Sequence, residues 1–190
     1  ALLFAPMLML LLTACGGGGE KDVAASLQQQ YAAVSAATLE ADVTSHYEGE
    51  VRTYTLLCAY TPEKSNITVL SPENLAGISA TLEGETLTLS YDDISLDAGS
   101  YSAASISPVA ALPKLMAAAA TGYLTEQSEE TVSDRPCLRL AFDLSEDEET
   151  LYTTWFDQET LLPLQSESSA DGAVVFEVSW KRFEITETGE

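Results

Sequence analysis

Apolar residues near the start of the chain recur with the spacing of a helix. They fall at steps of four, four and three, which predicts a helix over residues 22–37 with one apolar face. The members of this stripe are Val23, Leu27, Tyr31 and Val34. An acidic residue near the start, Asp22, suits the positive end of the helix dipole.

A second stripe of this kind lies in the middle of the chain. Ser107 and Pro108 are typical of a helix start, and Gly122 of a helix end. The apolar residues between them are Val109, Leu112, Leu115, Met116 and Ala119. Pro113 should kink this helix or delay its regular part. Because it is rich in alanine, which buries little surface, the helix is either a plain cover for the sheet or a lid that opens between two hinges.

Elsewhere apolar and polar residues alternate at a period of two, which predicts nine or ten short strands. The pairs Glu83-Gly84 and Asp171-Gly172 lie between alternating runs and are typical of tight hairpins, so neighbouring strands should be antiparallel. Residues 92–105 are small and polar and predict a loop or a weak strand. Residues 145–150 predict an acidic turn.

The first hairpin also predicts a register. A two-residue loop at positions 83 and 84 places Ala80 opposite Leu87 and Ile78 opposite Leu89, so the apolar faces coincide. A sheet with one apolar face needs cover, and the two helices can provide it. The sequence therefore predicts an α+β fold, a curved antiparallel sheet in the form of an open half-barrel with helices covering its concave face.

The first 15 residues resemble the end of a bacterial lipoprotein signal peptide. An uncharged apolar run leads into Leu12-Thr13-Ala14-Cys15, and four glycines follow. The resemblance implies that Cys15 carries a diacylglycerol group, although no basic segment precedes the run. The run is shorter than the roughly 20 residues of a membrane-spanning helix. The expected organisation is a signal peptide over residues 1–14, a lipidated cysteine and tether over 15–21, and one domain over 22–190.

Net charge narrows the classes of partner. The chain of 190 residues has a formal charge of −22, which argues against nucleic-acid binding and against adsorption to anionic lipid headgroups. We interpret most of the carboxylates as a solvated surface. Two cysteines remain besides Cys15, namely Cys58 and Cys137, and in an exported domain they form either one disulfide or two separate thiols.

The sequence offers little catalytic chemistry. His46 is the only histidine, so a Ser-His-acid triad could be built only around it, and we interpret it as an exposed strand residue. No set of ligands has the spacing of a zinc or calcium site, and we expect neither a metal nor a cofactor. A carboxylate pair of the glycosidase kind stays open, because 30 acidic residues always offer some pair.

Several short motifs, taken in order, resemble the lipoprotein-carrier fold of the LolA/LolB type over roughly residues 22–185. They are Ser71-Pro72-Glu73 with Leu75-Ala76-Gly77-Ile78, the hairpin of residues 82–91, Ser107-Pro108, and Trp155-Phe156-Asp157 with Thr160 and Leu162-Pro163-Leu164. The resemblance implies a LolA-like half-barrel that binds acyl chains or lipidated proteins between sheet and helices. In anchored relatives it also implies partner-binding or sensing roles, so lipid transport does not follow automatically.

From these observations we expect a non-catalytic lipoprotein that is exported and anchored by its lipid to the outer side of the cell membrane, or to an outer membrane if the host has one. The preferred role is to hold an apolar ligand, such as a lipid or a lipidated protein, in the sheet–helix cleft. The alternative is a protein-interaction or sensing module of the envelope with a filled core; an envelope hydrolase comes third. We expect a monomer that binds no nucleic acid. The residues expected to line the cleft are Tyr54, Leu56, Ile78, Leu87, Leu89, Leu112, Leu115, Met116, Trp155, Phe176 and Trp180.

Overall fold

The structure is a computed structural model that describes residues 19–47, 49–84, 86–100, 107–144 and 150–186. Within these ranges the chain forms eleven strands, two α-helices and two 3-10 helices. The helices are α1 Gly19–Ala32 and α2 Ala111–Thr121, with the 3-10 turns Glu73–Leu75 and Pro108–Ala110. The strands are β1 Ala36–Tyr47, β2 Glu50–Tyr60, β3 Lys64–Ser71, β4 Ser79–Glu83, β5 Thr86–Tyr91, β6 Ile94–Ser100, β7 Tyr123–Val132, β8 Arg135–Asp143, β9 Thr150–Asp157, β10 Pro163–Ala170 and β11 Ala173–Thr186.

All strands belong to one open antiparallel sheet in the order β6-β5-β4-β3-β2-β1-β11-β10-β9-β8-β7. The chain starts at the centre with β1 and meanders outward to β6 at one edge. It then passes through α2 to β7 at the opposite edge and meanders back to β11, which pairs with β1. The pairing of β1 with β11 therefore joins the two halves as one sheet, and the connection through α2 carries the chain from one edge to the other.

Both helices pack on the same face of the sheet, which we name the helix side. Along β1 every second residue is buried, from Ala37 to Val43, and the same face continues across β2 and β3 through directly opposed residues. The opposite face, named the outer face, carries polar side chains in β1. An open antiparallel sheet with two helices confirms the predicted class.

Several local predictions are corrected. The first helix ends at Ala32 rather than near residue 37, because Ala36 already pairs with Thr186 in the sheet. Its buried face contains Ala24 in place of Val23, which is 43% exposed, since a step of three from residue 24 aligns with Leu27. Residues 94–100 form strand β6, whereas residues 101–105 of the predicted weak segment and residues 145–149 of the predicted acidic turn lie outside the described residues.

The predicted hairpin register is wrong by two residues. Glu83 pairs with Thr86, so the loop lies one position later than predicted, and Leu82 faces Leu87 while Ala80 faces Leu89. A shift of two keeps every side chain on its predicted face, because the strand period is two. The register differs because Gly84 takes a positive φ of 57°, which suits a turn position and not a strand end.

The mid-chain helix begins regularly only at Ala111, after a 3-10 turn at Pro108. Ser107 precedes that turn but makes no side-chain capping hydrogen bond. Pro113 is thus the third residue of α2, where backbone N–H groups have no partner within the helix. Proline there delays the regular helix, as expected, without removing a hydrogen bond from its interior.

Candidate binding surfaces

The cleft between sheet and helices is filled with apolar side chains. Leu27 of α1, Leu112 of α2 and Leu39 of β1 are each fully buried, with 0% of their surface exposed. Tyr31 packs edge-on against Phe156 at 5.3 Å between ring centroids, and its hydroxyl donates to the carbonyl oxygen of Leu161 at 3.1 Å. Burial raises the pKa of the Tyr31 hydroxyl, so this side chain stays a neutral donor. These contacts bind α1 firmly to the strands below it.

Ten of the eleven residues predicted to line the cleft lie in this core or against it. Five are fully packed core residues, and five are half-buried at its margin. The packed ones are Leu56, Leu112, Leu115, Met116 and Phe176, and the marginal ones are Tyr54, Ile78, Leu87, Leu89 and Trp180. Trp155 lies on the outer face, opposite Arg139 of β8. A role for any of them in holding a ligand stays a prediction.

A small cavity opens at the mouth of the cleft, between α2 and the ends of β2, β3 and β4. Its volume is about 310 Å³. Apolar lining comes from residues such as Tyr60, Leu82 and Ala117, and charged lining includes Lys64 and Lys114. None of the residues predicted to line the cleft borders this cavity. The sequence did not predict this cavity, because its wall combines residues of a turn, of strand ends and of α2 that are distant along the chain.

Beyond β4 neither of the two described helices covers the helix side, which is apolar there. Leu89 of β5 lies on the helix side, because it is directly opposite the core residue Ala80 of β4. Leu96 of β6 is opposite Leu89, and Ile94 is opposite Tyr91, so all four side chains share that side. We name these four residues the edge strip. Three of them are strongly exposed: Tyr91 by 52%, Ile94 by 73% and Leu96 by 62%. Exposed apolar side chains that adjoin one another mark interaction sites more often than single ones do.

The outer face carries a polar groove of about 540 Å³ over β1, β10 and β11. Glu167 and Glu177 lie directly opposite each other on neighbouring strands and both border it. Burial and then the charge of Glu177 raise the pKa of the Glu167 carboxyl. Glu177 is also 3.3 Å from Nε2 of His46, whose side chain is 34% exposed. This is a carboxylate pair of the kind that the sequence left open.

Beside this groove a tryptophan is buried beneath charged groups. Trp155 is only 7% exposed; its indole N–H donates to Glu130 at 2.7 Å, and Arg139 lies over its ring at 5.6 Å from the centroid. Arg139 in turn contacts Glu126 at 2.9 Å. The side chain therefore belongs to a structural cation–π and hydrogen-bond cluster.

The turn after β9 is organised by one carboxylate. Asp157 Oδ1 accepts hydrogen bonds from the backbone N–H of Thr160 at 2.8 Å and of Glu159 at 3.1 Å, and Oδ2 lies 2.7 Å from Arg135. The bond from the Thr160 amide is the largest cause of the lowered pKa of this carboxyl. The Asp–x–x–Thr motif is thus a self-capped turn.

The two spare cysteines do not form a disulfide. Cys58 lies on the helix side of β2, opposite Leu39, whereas Cys137 lies on the outer face of β8, opposite Asp157. Side chains on opposite faces of a sheet cannot be bridged. Burial raises the pKa of the Cys58 thiol to about 12 and also raises the pKa of Cys137, so both are poor nucleophiles.

The described residues were also compared with the requirements of a membrane-spanning helix and of a metal site. In the described part of the chain no helix combines the length and apolarity needed to cross a membrane. Among the same residues no group of three or more His, Cys, Asp or Glu side chains is placed to hold a metal ion. The predicted lipidation site, Cys15, lies outside the described residues.

Comparison with known proteins gives structural matches only. No protein-family model and no curated protein sequence matches the chain. In structure the chain is similar to an uncharacterized conserved protein from Thermus thermophilus, with a TM-score of 0.51, 10% identity and 89% of each chain covered. It is also similar to a LolA superfamily protein from Nitrosomonas europaea (TM-score 0.47, 10% identity, 87% of this chain and 94% of that one). A third is the lipoprotein LppX from Mycobacterium tuberculosis (TM-score 0.46, 10% identity, 90% and 99%). Proteins of the LolA type are thus among the structures that this chain is similar to, as its motifs predict, and the likeness concerns the fold.

Proposed function

We propose that this protein is an exported, lipid-anchored binding protein of the cell envelope, without catalytic chemistry, that contacts a partner protein through the edge strip. One observation carries the proposal. Apart from the cavity at the cleft mouth, the helix side of the sheet is packed where the helices cover it, whereas at the β5–β6 edge it is apolar and exposed. A filled core beside an exposed apolar patch favours a protein-interaction module over a carrier with an open cavity.

The contacts of α2 support a sheet that curves around the helices as a half-barrel. This helix has 11 residues and is therefore about 16 Å long. It contacts β2 on one side and β8 on the other. In a flat sheet these strands, five positions apart, would be separated by about 24 Å. Curvature brings both within reach, and it leaves the outermost strands β5 and β6 beyond the cover of the helices.

The preferred role from the sequence, binding of an acyl chain or lipid, remains as a second candidate because of the cavity at the cleft mouth. A volume of about 310 Å³ is at the lower end of ligand pockets. Its apolar walls, together with charged groups of both signs (Glu63, Lys64 and Lys114), suit a small amphiphile better than a long chain. Mass spectrometry of lipids extracted from the purified mature protein tests this candidate. About one retained lipid molecule per protein molecule would favour lipid binding over the protein-interaction role.

A hydrolase stays third. Glu167 and Glu177 lie opposite each other on neighbouring strands, and the carboxylate of Glu177 lies 3.3 Å from Nε2 of His46. A general acid and its partner need free access to a substrate on both sides. The groove that they border is lined by the ion-paired Asp42 and Arg135 as well, which indicates a structural charge network.

Site-specific photo-crosslinking in living cells tests the preferred function. A photoreactive residue at position 96 lies on the edge strip, and one at position 95 lies on the outer face of the same strand. We expect a discrete crosslinked product from position 96 and none from position 95, because only the strip buries apolar surface on binding. Equal products from both positions, or none from either, would contradict an interface at the strip.

A further inference from the structure

We propose that the edge strip takes an extended segment of a partner protein, in which apolar and basic residues alternate, and that this segment adds to the sheet as a strand beside β6. The inference rests on the proposed function, since it names the chemistry of the partner that the strip would contact.

Strand β6 is an edge strand. It is last in the sheet order, and in the described part of the chain its strand partner is β5 alone. An edge strand exposes a row of backbone N–H and C=O groups, which an extended peptide can pair with. β6 spans the seven residues Ile94–Ser100, and its regular part, residues 94–97 before a register shift, offers an edge about 13 Å long.

The two edges of the sheet differ in how they are protected. Strand β7, at the far edge, carries Glu126, Glu129 and Glu130 and a register shift near Leu124, features that discourage edge pairing. Strand β6 places Ile94 and Leu96 on its helix side, exposed by 73% and 62%. The pairing of β6 with β5 also has a register shift, between the pairs Thr88–Asp97 and Thr86–Ser100, so the regular apolar edge is the stretch 94–97. This stretch carries neither proline nor lysine and is suited to pairing with a partner.

Charge selects the kind of segment. Between Lys64 and Lys114 the sequence contains no lysine or arginine and has six acidic residues. Three of these, Asp92, Asp93 and Asp97, are exposed at β6 or in the turn that leads into it. An added strand presents its side chains alternately to the two faces. Apolar residues would therefore meet the edge strip, while basic residues on the other face would lie beside Asp97.

Synthetic peptides test this inference directly on the purified mature protein. The probe is an octapeptide that alternates lysine with isoleucine and leucine, and affinity is measured by fluorescence anisotropy. One control peptide has the same composition with its four lysines in one block, a second has glutamate in place of lysine, and a third is N-methylated at alternate residues. We expect the alternating peptide to bind at least tenfold more tightly than each control. Only this peptide places its apolar residues on one face, carries positive charge and keeps the backbone N–H groups that pair with β6.

Matched protein variants separate strand addition from attraction to an acidic surface. The double substitution Ile94→Ser, Leu96→Ser keeps the net charge and should weaken the alternating peptide at least tenfold. Tyr123→Ser removes an equally exposed side chain, 72% exposed, from the far edge and should leave affinity unchanged. Asp92→Asn with Asp93→Asn should weaken binding and flatten its salt dependence; position 92 has a φ of 50°, which asparagine tolerates.

Two results overturn the inference. Equal binding of the peptide to the Ile94→Ser, Leu96→Ser variant would show non-specific adsorption, and full affinity of the N-methylated peptide would exclude strand addition. If the crosslink at position 96 persists in cells while either result holds, the proposed function stands and this class of partner is wrong. If the crosslink is absent too, the proposed function fails as well.

Discussion

Two residues show how strictly local geometry is fixed at the ends of elements. Gly122 ends α2 with a φ of −64°, which any residue can adopt, so glycine is not needed there for its backbone freedom. A Cβ at this position would lie 2.6 Å from the carbonyl oxygen of Ala118 and 2.8 Å from Cβ of Phe142. Asp157, at the end of β9, caps a turn whose fifth residue, Leu161, has a positive φ of 57°.

We expect Gly122→Ala to lower the free energy of unfolding by about 1–3 kcal/mol, because both neighbours are fixed by backbone or core packing and must shift. Chemical denaturation measures the loss. Thr121→Ala, at the exposed neighbouring position, should change stability by less than about 0.5 kcal/mol. An unchanged midpoint for Gly122→Ala would mean that α2 can move away from β8 without cost.

We expect Asp157→Asn to remove part of the pH dependence of stability. The folded-state pKa of Asp157 is lowered, chiefly by the Thr160 amide, so its contribution is present above the unfolded pKa of about 3.9 and is lost as pH falls through the folded value. The stability difference between wild type and variant should therefore be largest near neutral pH and shrink in acid. Asp171→Asn, in another turn with φ of 51°, is the matched control. A difference that is constant with pH would contradict the assignment.

Among the elements, the packing of the mid-chain helix favours the interpretation as a fixed cover over that as a lid. Six residues of α2 are buried, and the side-chain amide of Gln28 on α1 donates to the carbonyl oxygen of Gly122 at 2.8 Å. The end that looked like a hinge is thus held by the other helix. Strand β5, by contrast, lies next to an exposed edge.

Hydrogen exchange measures this difference. We expect the amides of residues 115–120 in α2 to exchange no faster than those of residues 87–91 in β5, because buried, hydrogen-bonded helix interiors open less readily than strands near an edge. The amides of β1, at the centre of the sheet, serve as the slow reference. Markedly earlier exchange in α2 that slows on adding a ligand would restore the lid.

At the scale of the whole molecule, function depends on where the domain is held. The apolar run that ends in Leu12-Thr13-Ala14-Cys15 predicts a lipid anchor, and an anchored domain would present the edge strip to partners near the membrane surface. The charge of −22 keeps the rest of the surface from adhering to anionic headgroups.

We expect Cys15→Ala to release the protein from membranes into the soluble fraction, since the modified thiol is the expected attachment point. Membrane fractionation and metabolic labelling with a fatty acid measure the change. Gly18→Ala, which keeps the thiol, should stay with the membranes. Full retention of Cys15→Ala in the membrane fraction would show that the anchor lies elsewhere.

Local periodicity is enough to predict both helices, most of the strands and the alternation that places Phe176 in the core; nine or ten strands were expected and the described residues form eleven. The pairing of β1 with β11 joins residues more than 130 positions apart and leaves no local signal, so it emerges only in the folded chain. The tertiary structure also placed Cys58 and Cys137 on opposite faces and Trp155 on the outer one, since a face is defined only when neighbouring strands are known. The edge strip was only half predicted from the sequence, because Leu89 and Tyr91 lie in an alternating run, whereas Ile94 and Leu96 lie in a segment predicted as a loop or a weak strand. Its exposure depends on how far the helices reach across the sheet, a distance that no stretch of sequence contains.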